Sequence, residues 1–397
     1  MPLSRKTPLA WKNLTHDWRR LAVAVAGVGF AVLLMFTQVG FQNALFDSQV
    51  KMIDDLQGDI FLVSRAKYTL AAEKRFPIEL INQARSVRGV AGVYPLYTEL
   101  TFSRLKNLKS GGSSKAFPIR SIGFRLDDPI FNSPLINSQL PRLRAPGAAL
   151  IDKRSRAENF DFPTDDDQAL VLAQAELADK RVELVGSFDM GADFAHDGNL
   201  AMSAENFAAF FPQRVQFGDP LSVVDIGIVQ TKPGADVDLV RQTIDGILDD
   251  RTFVLTRDQF RNQEVKFWDE STPIGIIFTA GKILGFVVGI VICYQVIYTD
   301  IADHMSEFAT LKAMGYTTRY FLQLIVVEAV LLSLIGFVPG VLASTLLYAV
   351  LASSTGLLLQ MTLPAIGLVL LLTICMCIAS GLLAVRKLLA ADPANLF

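Results

Sequence analysis

Long apolar runs alternate with polar stretches along the chain, and this pattern predicts a membrane protein. Residues 21–40 carry no charge, and further apolar runs cover 273–299 and 320–350. After Glu328 the next charged residue is Arg386. Because about 20 apolar residues cross a bilayer as a helix, this last stretch must fold back once. The pattern therefore predicts four transmembrane helices.

One apolar run precedes a large polar region and three follow it. The predicted fold class is an α-helical membrane protein with four transmembrane helices (1+3) and an α+β domain between spans one and two. The predicted segments are an amphipathic N-terminal segment (1–20), transmembrane helices (21–46, 273–299, 320–350 and 363–385), the α+β domain (47–270), a polar segment (300–319) and a tail (386–397). The predicted turn between the last two helices is at 353–356.

The polar region has the composition of a water-soluble domain, and its two ends show the same order of elements. Apolar periodicity predicts a strand, an amphipathic helix and a second strand at each end. The predicted elements are 59–64, 77–87 and 90–102 at the start, and 221–229, 235–248 and 252–255 at the end. Two β-α-β units thus bracket residues 127–219, whose prolines predict an inserted subdomain joined by turns.

Basic residues in the short polar segments predict the orientation, because positive charge resists translocation. They lie in segments 1–20, 300–319 and 386–397, whereas residues 351–362 carry none. Both termini and the segment 300–319 are therefore predicted to be cytoplasmic. The protein would be a multi-pass protein of a bacterial inner (plasma) membrane, with its large domain in the periplasm.

Composition and motifs exclude several functions. A formal net charge of -2 gives no basic surface for nucleic acid. Cys293, Cys375 and Cys377 all lie in apolar runs, so packing is favoured over a disulfide framework or a metal site. Residues 275–282 fail as a phosphate-binding loop because the glycine spacing is wrong and Ile283 replaces its Ser or Thr. No catalytic residue, metal or cofactor is predicted, although an enzyme built from scattered residues remains an alternative.

Two charged side chains lie within predicted spans. Lys282 and Glu328 are near opposite ends of their spans, so different depths argue against an ion pair. A snorkelling Lys282 and a Glu328 that faces the bundle or the interface are predicted instead. Between these spans, Met305 and Phe308 lie on one apolar side of a short helix, and Gly315 supplies its stop. A solvated loop is the alternative interpretation.

Sequence motifs in the carboxy-terminal third resemble a known family. Residues 307–315 read Glu-Phe-Ala-Thr-Leu-Lys-Ala-Met-Gly, residues 328–336 read Glu-Ala-Val-Leu-Leu-Ser-Leu-Ile-Gly, and Asp392-Pro393 lies near the end. With the 1+3 arrangement, these motifs resemble the MacB/FtsX-type ABC transporter permeases. Residues 36–48 and 232–238 are further similar to the DevC permeases of cyanobacterial exporters.

The resemblance implies a mechanical subunit without a nucleotide site. A separate ABC ATPase, which carries the ATP and Mg²⁺, would bind the cytoplasmic segment. The residues that the resemblance implies for this coupling are Met305, Glu307, Phe308, Leu311, Lys312 and Gly315. Two copies would pair through spans one and two, and the outer domain would deliver cargo to a periplasmic adaptor and a TolC-like outer-membrane channel. The DevC-like residues imply a glycolipid cargo.

Two related functions fit the same resemblance. One is a non-transporting regulator of a periplasmic hydrolase, as in FtsX, and the other is a lipoprotein-releasing permease. Co-purification separates the first from export, because export requires an adaptor with a long helical hairpin and regulation requires a cell-wall hydrolase.

Overall fold

The computed structural model describes residues 18–108, 115–193, 195–215, 218–248, 250–303, 305, 310, 314, 317–355 and 359–389. The chain divides into two compact units. We call residues 45–272 the polar unit, and the described residues within 18–44, 273–355 and 359–389 the apolar unit.

The first helix, α1 (Trp18–Asp55), contributes to both units. It continues beyond the predicted span of 21–46 because Val50, Met52 and Ile53 are buried in a core of the polar unit. The helix ends before Gly58, where the chain turns into the first strand.

The remaining polar unit combines short helices with strands. Its strands are β1 (Ile60–Ser64), β2 (Phe76–Pro77), β3 (Val90–Glu99), β4 (Arg104–Asn107), β5 (Phe117–Pro118), β6 (Arg120–Phe124), β7 (Ala148–Asp152), β8 (Ala175–Leu177), β9 (Lys180–Phe188), β10 (Asn199–Ser203), β11 (Val223–Val224), β12 (Ile226–Thr231) and β13 (Thr252–Thr256). Its helices are α2 (Glu79–Arg85), α3 (Pro134–Gln139), α4 (Ala157–Phe160), α5 (Asp167–Val171), α6 (Ala204–Phe210), α7 (Val237–Ile247) and α8 (Arg257–Glu270), with 3-10 turns at Leu140–Arg144, Pro212–Arg214 and Pro220–Ser222.

The described strands form one large sheet in the order β13-β1-β12-β3-β6-β10-β7-β9-β8-β4-β5, and β2 pairs with β11 separately. The two predicted β-α-β units interlock in this sheet. Strand β12 lies between β1 and β3, and β1 lies between β12 and β13. Side chains of β1 alternate between two buried clusters, with Ile60 and Leu62 in one and Phe61 and Val63 in the other. The sheet is therefore covered on both faces, by α2 and α7 in the first cluster and by α1 and α8 in the second.

The region predicted as an inserted subdomain, residues 127–219, extends this sheet instead of forming one of its own. Strand β10 pairs in parallel with β6, from Asn199 opposite Arg120 to Ser203 opposite Phe124. Strands β7 and β9 then continue outward from β10. The physical reason is that the edge of β6 would otherwise leave backbone groups unpaired between two apolar layers.

Three long helices follow the polar unit: α9 (Pro273–Asp303), α10 (Thr318–Thr355) and α11 (Leu363–Leu389). Together with α1, they give four helices in the described part of the chain that are long and apolar enough to cross a membrane. Helix α10 includes residues 353–355, so it ends inside the predicted turn at 353–356 and not before it. A continuous helix satisfies its backbone groups internally, which favours such extension in an apolar setting.

Candidate coupling site

The predicted coupling segment is only partly described. Helix α9 ends at Asp303, and Met305 is helical and partly buried. Residues 310 and 314 are also described, and the continuous description resumes at Thr317. Glu307, Phe308, Leu311, Lys312 and Gly315 lie outside the described residues. The backbone N–H of Tyr320 donates to the carbonyl of Thr317 at 2.9 Å as α10 begins.

An ion pair joins the two helix ends beside this segment. The guanidinium of Arg20, near the start of α1, pairs with the carboxylate of Asp303 at the end of α9. Both side chains are about half exposed, so the pair contributes little to stability. The ion pair does show that the start of α1 lies beside the end of α9 within the apolar unit.

Glycines let α1 approach both α9 and α10 closely. A Cβ at Gly281 of α9 would lie 2.5 Å from the side-chain amide of Gln38 on α1. On α10, a Cβ at Gly340 would lie 2.6 Å from Val32 and 3.0 Å from the carbonyl oxygen of Gly29. Close backbone approach through small residues is the usual basis of helix association in membranes. Helix α1 is therefore packed against two of the three helices that follow the polar unit.

Lys282 and Glu328, the two charged side chains of the predicted spans, have different surroundings. The Nζ of Lys282 donates to Oε1 of Gln42 on α1 at 2.8 Å. Glu328 is buried, at 4% exposure, on a helix whose Ala329 and Leu332 are also buried. The structure thus gives Lys282 an amide partner on α1 and places Glu328 inside the apolar unit.

Sequence reasoning did not predict the contacts between α9 and α11. The hydroxyl of Ser380 donates to the carbonyl of Ile290 at 2.9 Å, and the sulfurs of Cys293 and Cys377 lie close together. These residues come from separate apolar runs, so no local signal pairs them. Across the described residues, no group of three or more His, Cys, Asp or Glu side chains could hold a metal ion.

Helix α8, which sequence reasoning also missed, immediately precedes α9. A capping box formed by Thr256 and Gln259 begins it, and this local signal could have revealed it. Its buried Glu264 accepts hydrogen bonds from the hydroxyl of Thr69, the N–H of Leu70 and the indole of Trp268, all between 2.7 and 2.8 Å. Burial raises the pKa of Glu264. The carboxylate therefore fastens α8 to the loop that follows β1.

The same loop reaches a buried charge cluster, which we define as Glu73, Arg75, Glu99, Arg214 and Asp225. Arg75 Nη2 lies 2.9 Å from Glu99 Oε2, and Arg214 Nη2 lies 2.6 Å from Asp225 Oδ2. The cluster contains three acidic and two basic side chains. Those of Glu99, Arg214 and Asp225 are fully buried. Burial, with a further contribution from Glu73, raises the pKa of Glu99 to about 7.

Comparisons with known proteins find similarities for parts of this chain. No curated protein sequence matches the chain significantly. The periplasmic region of MacB from Actinobacillus actinomycetemcomitans is similar at 9% identity, covering 52% of this chain and 92% of that one, with a TM-score of 0.35. The extracellular domain of the noncanonic ABC-type transporter YknZ from Gram-positive bacteria is similar at 14% identity, covering 50% of this chain and 99% of that one, with a TM-score of 0.32. Residues 281–393, from α9 through α11, match the sequence family described as FtsX-like permease C-terminal.

Proposed function

We propose that this chain is the permease subunit of an ABC-type exporter. The observation that carries the proposal is the match of residues 281–393 to the FtsX-like permease C-terminal family. That match covers most of α9, the predicted coupling segment and all of α10 and α11. The four apolar helices would cross the inner membrane, one before and three after the polar unit.

In this proposal a separate ABC ATPase supplies the energy. It binds ATP and Mg²⁺ and acts on the cytoplasmic segment through Met305, Glu307, Phe308, Leu311, Lys312 and Gly315. The ion pair between Arg20 and Asp303 supports this site, because it shows that the start of α1 lies beside the end of α9, where the segment begins. Two permease copies would form the complex, with both termini in the cytoplasm.

The polar unit would lie in the periplasm, and the conformational change driven by the ATPase would be transmitted to it. Helix α1 enters it directly, and α9 follows α8 after only Ser271 and Thr272. Movement of the membrane helices would therefore reach the polar unit through helical connections. The unit would then drive cargo, which we propose to be a glycolipid, into a periplasmic adaptor and an outer-membrane channel.

Two substitutions in the coupling segment test the proposal, one that reverses a charge and one that replaces an apolar side chain with a charged one. Glu307→Lys and Phe308→Asp should leave membrane insertion intact but abolish stimulation of the co-purified ATPase in reconstituted complexes. Asp245→Lys, a reversal at an exposed position of α7, is the matched control and should retain stimulation. Normal stimulation in both segment variants would reject the coupling role. Recovery of a cell-wall hydrolase in place of an adaptor would instead favour the regulatory function.

A further inference from the structure

The guanidinium of Arg257 binds the carboxyl end of another helix. Arg257 is the first residue of α8, and its Nη1 donates to the carbonyls of Ile53 and Asp54 at 3.1 and 3.3 Å. Its Nη2 donates to the carbonyls of Leu56 and Gly58, both at 2.7 Å. One side chain thus occupies four carbonyls at and just beyond the end of α1.

The electrostatics of the two helices explain why a cation lies there. The last turn of α1 contains no basic residue. Asp55 pairs with Lys51 one turn earlier, whereas Asp54 adds negative charge to the negative end of the helix dipole. Arg257 offsets that charge. For α8, however, a cation at the first position opposes the dipole of its own helix. The position of Arg257 is therefore favourable for α1 and unfavourable for α8.

A second arginine of α8, one turn later, also contacts the end of α1. Arg261 forms an ion pair with Asp54, and Phe260 between the arginines packs against Phe61 with ring centroids 5.5 Å apart. The guanidinium of Arg257 also lies 5.8 Å from the centroid of the Phe61 ring. Residues four apart share one face of a helix, so the first turn and a half of α8 covers the end of α1.

We propose that Arg257 and Arg261 are positioning residues that lock the end of α1 to α8, so that both helical connections to the membrane helices move as one body. Without these contacts, α1 and α8 could move separately. A displacement of one helix would then not be transmitted to the other. The role of these contacts in transmitting movement rests on the proposed function. The coupling of α1 to α8 does not depend on it.

Dipolar EPR on the full-length chain in nanodiscs tests the lock. Spin labels are attached at Asp47→Cys on α1 and Asn262→Cys on α8, both exposed positions, after Cys293, Cys375 and Cys377 are replaced by Ser. The unaltered arginines should give one narrow distance distribution. Arg257→Gln should broaden it and shift it to longer distances, and Arg257→Lys should give an intermediate width because one ammonium reaches fewer carbonyls.

A matched control and a rescue separate a lock from a general loss of stability. Arg65 also donates to a backbone carbonyl, that of Thr252, and lies over Phe253, but neither contact involves α1 or α8. Arg65→Gln should therefore keep the narrow distribution. Arg261→Asp should broaden it, and the charge swap with Asp54→Arg should restore it.

A narrow distribution in Arg257→Gln, or no recovery in the charge swap, would overturn the proposal. The labels report on the permease without any ATPase. A chain that stimulates no ATPase would therefore count against the proposed function while leaving the EPR result on the lock intact.

Discussion

The sulfur atoms of Cys293 and Cys377 lie 3.5 Å apart between α9 and α11, and both side chains are fully buried. Cys375, two residues from Cys377, is exposed on the surface of the apolar unit. A disulfide requires the sulfurs to approach from this separation to about 2 Å. We expect copper-phenanthroline treatment in membranes to remove two of the three titratable thiols. Alkylation with maleimide-PEG after denaturation counts the thiols that remain.

Single serine variants provide the controls for this crosslink. Cys293→Ser should retain two titratable thiols after oxidation, because Cys375 and Cys377 lie on one helix without a partner on α9. Cys375→Ser should lose both of its thiols. Full retention of three thiols in the unaltered chain would contradict the packing of α9 against α11.

The apolar helices could be predicted from the sequence, but their contacts could not. A run of apolar residues is sufficient to indicate a span, since the hydrocarbon layer sets its length. The approach of Cys293 to Cys377 depends on helix rotation, which a run that is apolar on all sides does not encode. Likewise, nothing local pairs Lys282 with Gln42 across α9 and α1.

The polar unit shows the same division between local and non-local information. The strand and helix patterns predict most elements of both β-α-β units, with ends displaced by a few residues. The predicted strand 221–229 is instead divided into a 3-10 turn, β11 and β12, and these two strands belong to different sheets. The insertion of β12 between β1 and β3 is a pairing of distant segments and has no local signature. Helix α8 was missed because its buried face includes the carboxylate of Glu264, which hides the apolar periodicity.

Helix packing predicts opposite effects for two glycine substitutions. Gly340→Ala places a methyl group against Val32 and the backbone of Gly29, whereas a Cβ at Gly367 of α11 meets nothing within 4 Å. Alanine favours a helix by about 1 kcal/mol over glycine, but overpacking costs about 1 to 3 kcal/mol. Gly340→Ala should therefore lower the thermal unfolding midpoint in detergent, and Gly367→Ala should keep or raise it. Equal midpoints for the two variants would contradict the close packing of α10 on α1.

The carboxylate of Glu264 predicts a graded loss of stability. Glu264→Ala removes the acceptor of two buried hydrogen bonds and one partly buried hydrogen bond, which should cost about 3 kcal/mol, since each donor loses about 1 kcal/mol. Trp268→Phe removes one of these bonds and should cost about 1 kcal/mol. Glu270→Ala, on an exposed turn of the same helix, should have almost no effect. Thermal unfolding of the three variants checks this order, and a Glu270→Ala loss equal to that of Glu264→Ala would contradict it.

Buried titratable groups predict opposing pH dependences. Burial, reinforced by Arg120, lowers the pKa of His196 to about 3. Unfolding lets this imidazole take up a proton, so its contribution to stability falls as the pH falls below about 6.5. The raised pKa of Glu99 acts in the other direction, because the folded chain holds that proton more tightly than the unfolded chain. A substitution at Glu99 is therefore needed to isolate its contribution.

Glu99→Gln should isolate a stability loss that occurs as the pH rises. With a pKa of about 7 in the folded chain and 4.5 as its ordinary value, Glu99 contributes fully below about pH 4.5. That contribution is lost progressively up to about pH 7, and the total is at most about 3 kcal/mol. The unfolding midpoint of the unaltered chain, relative to Glu99→Gln, should therefore fall between about pH 4.5 and 7 and stay level above it. Glu158→Gln, at an exposed position of α4, is the control and should run parallel to the unaltered chain. A relative midpoint that rises with pH would show that Arg75 and Arg214 outweigh burial in setting the charge of Glu99.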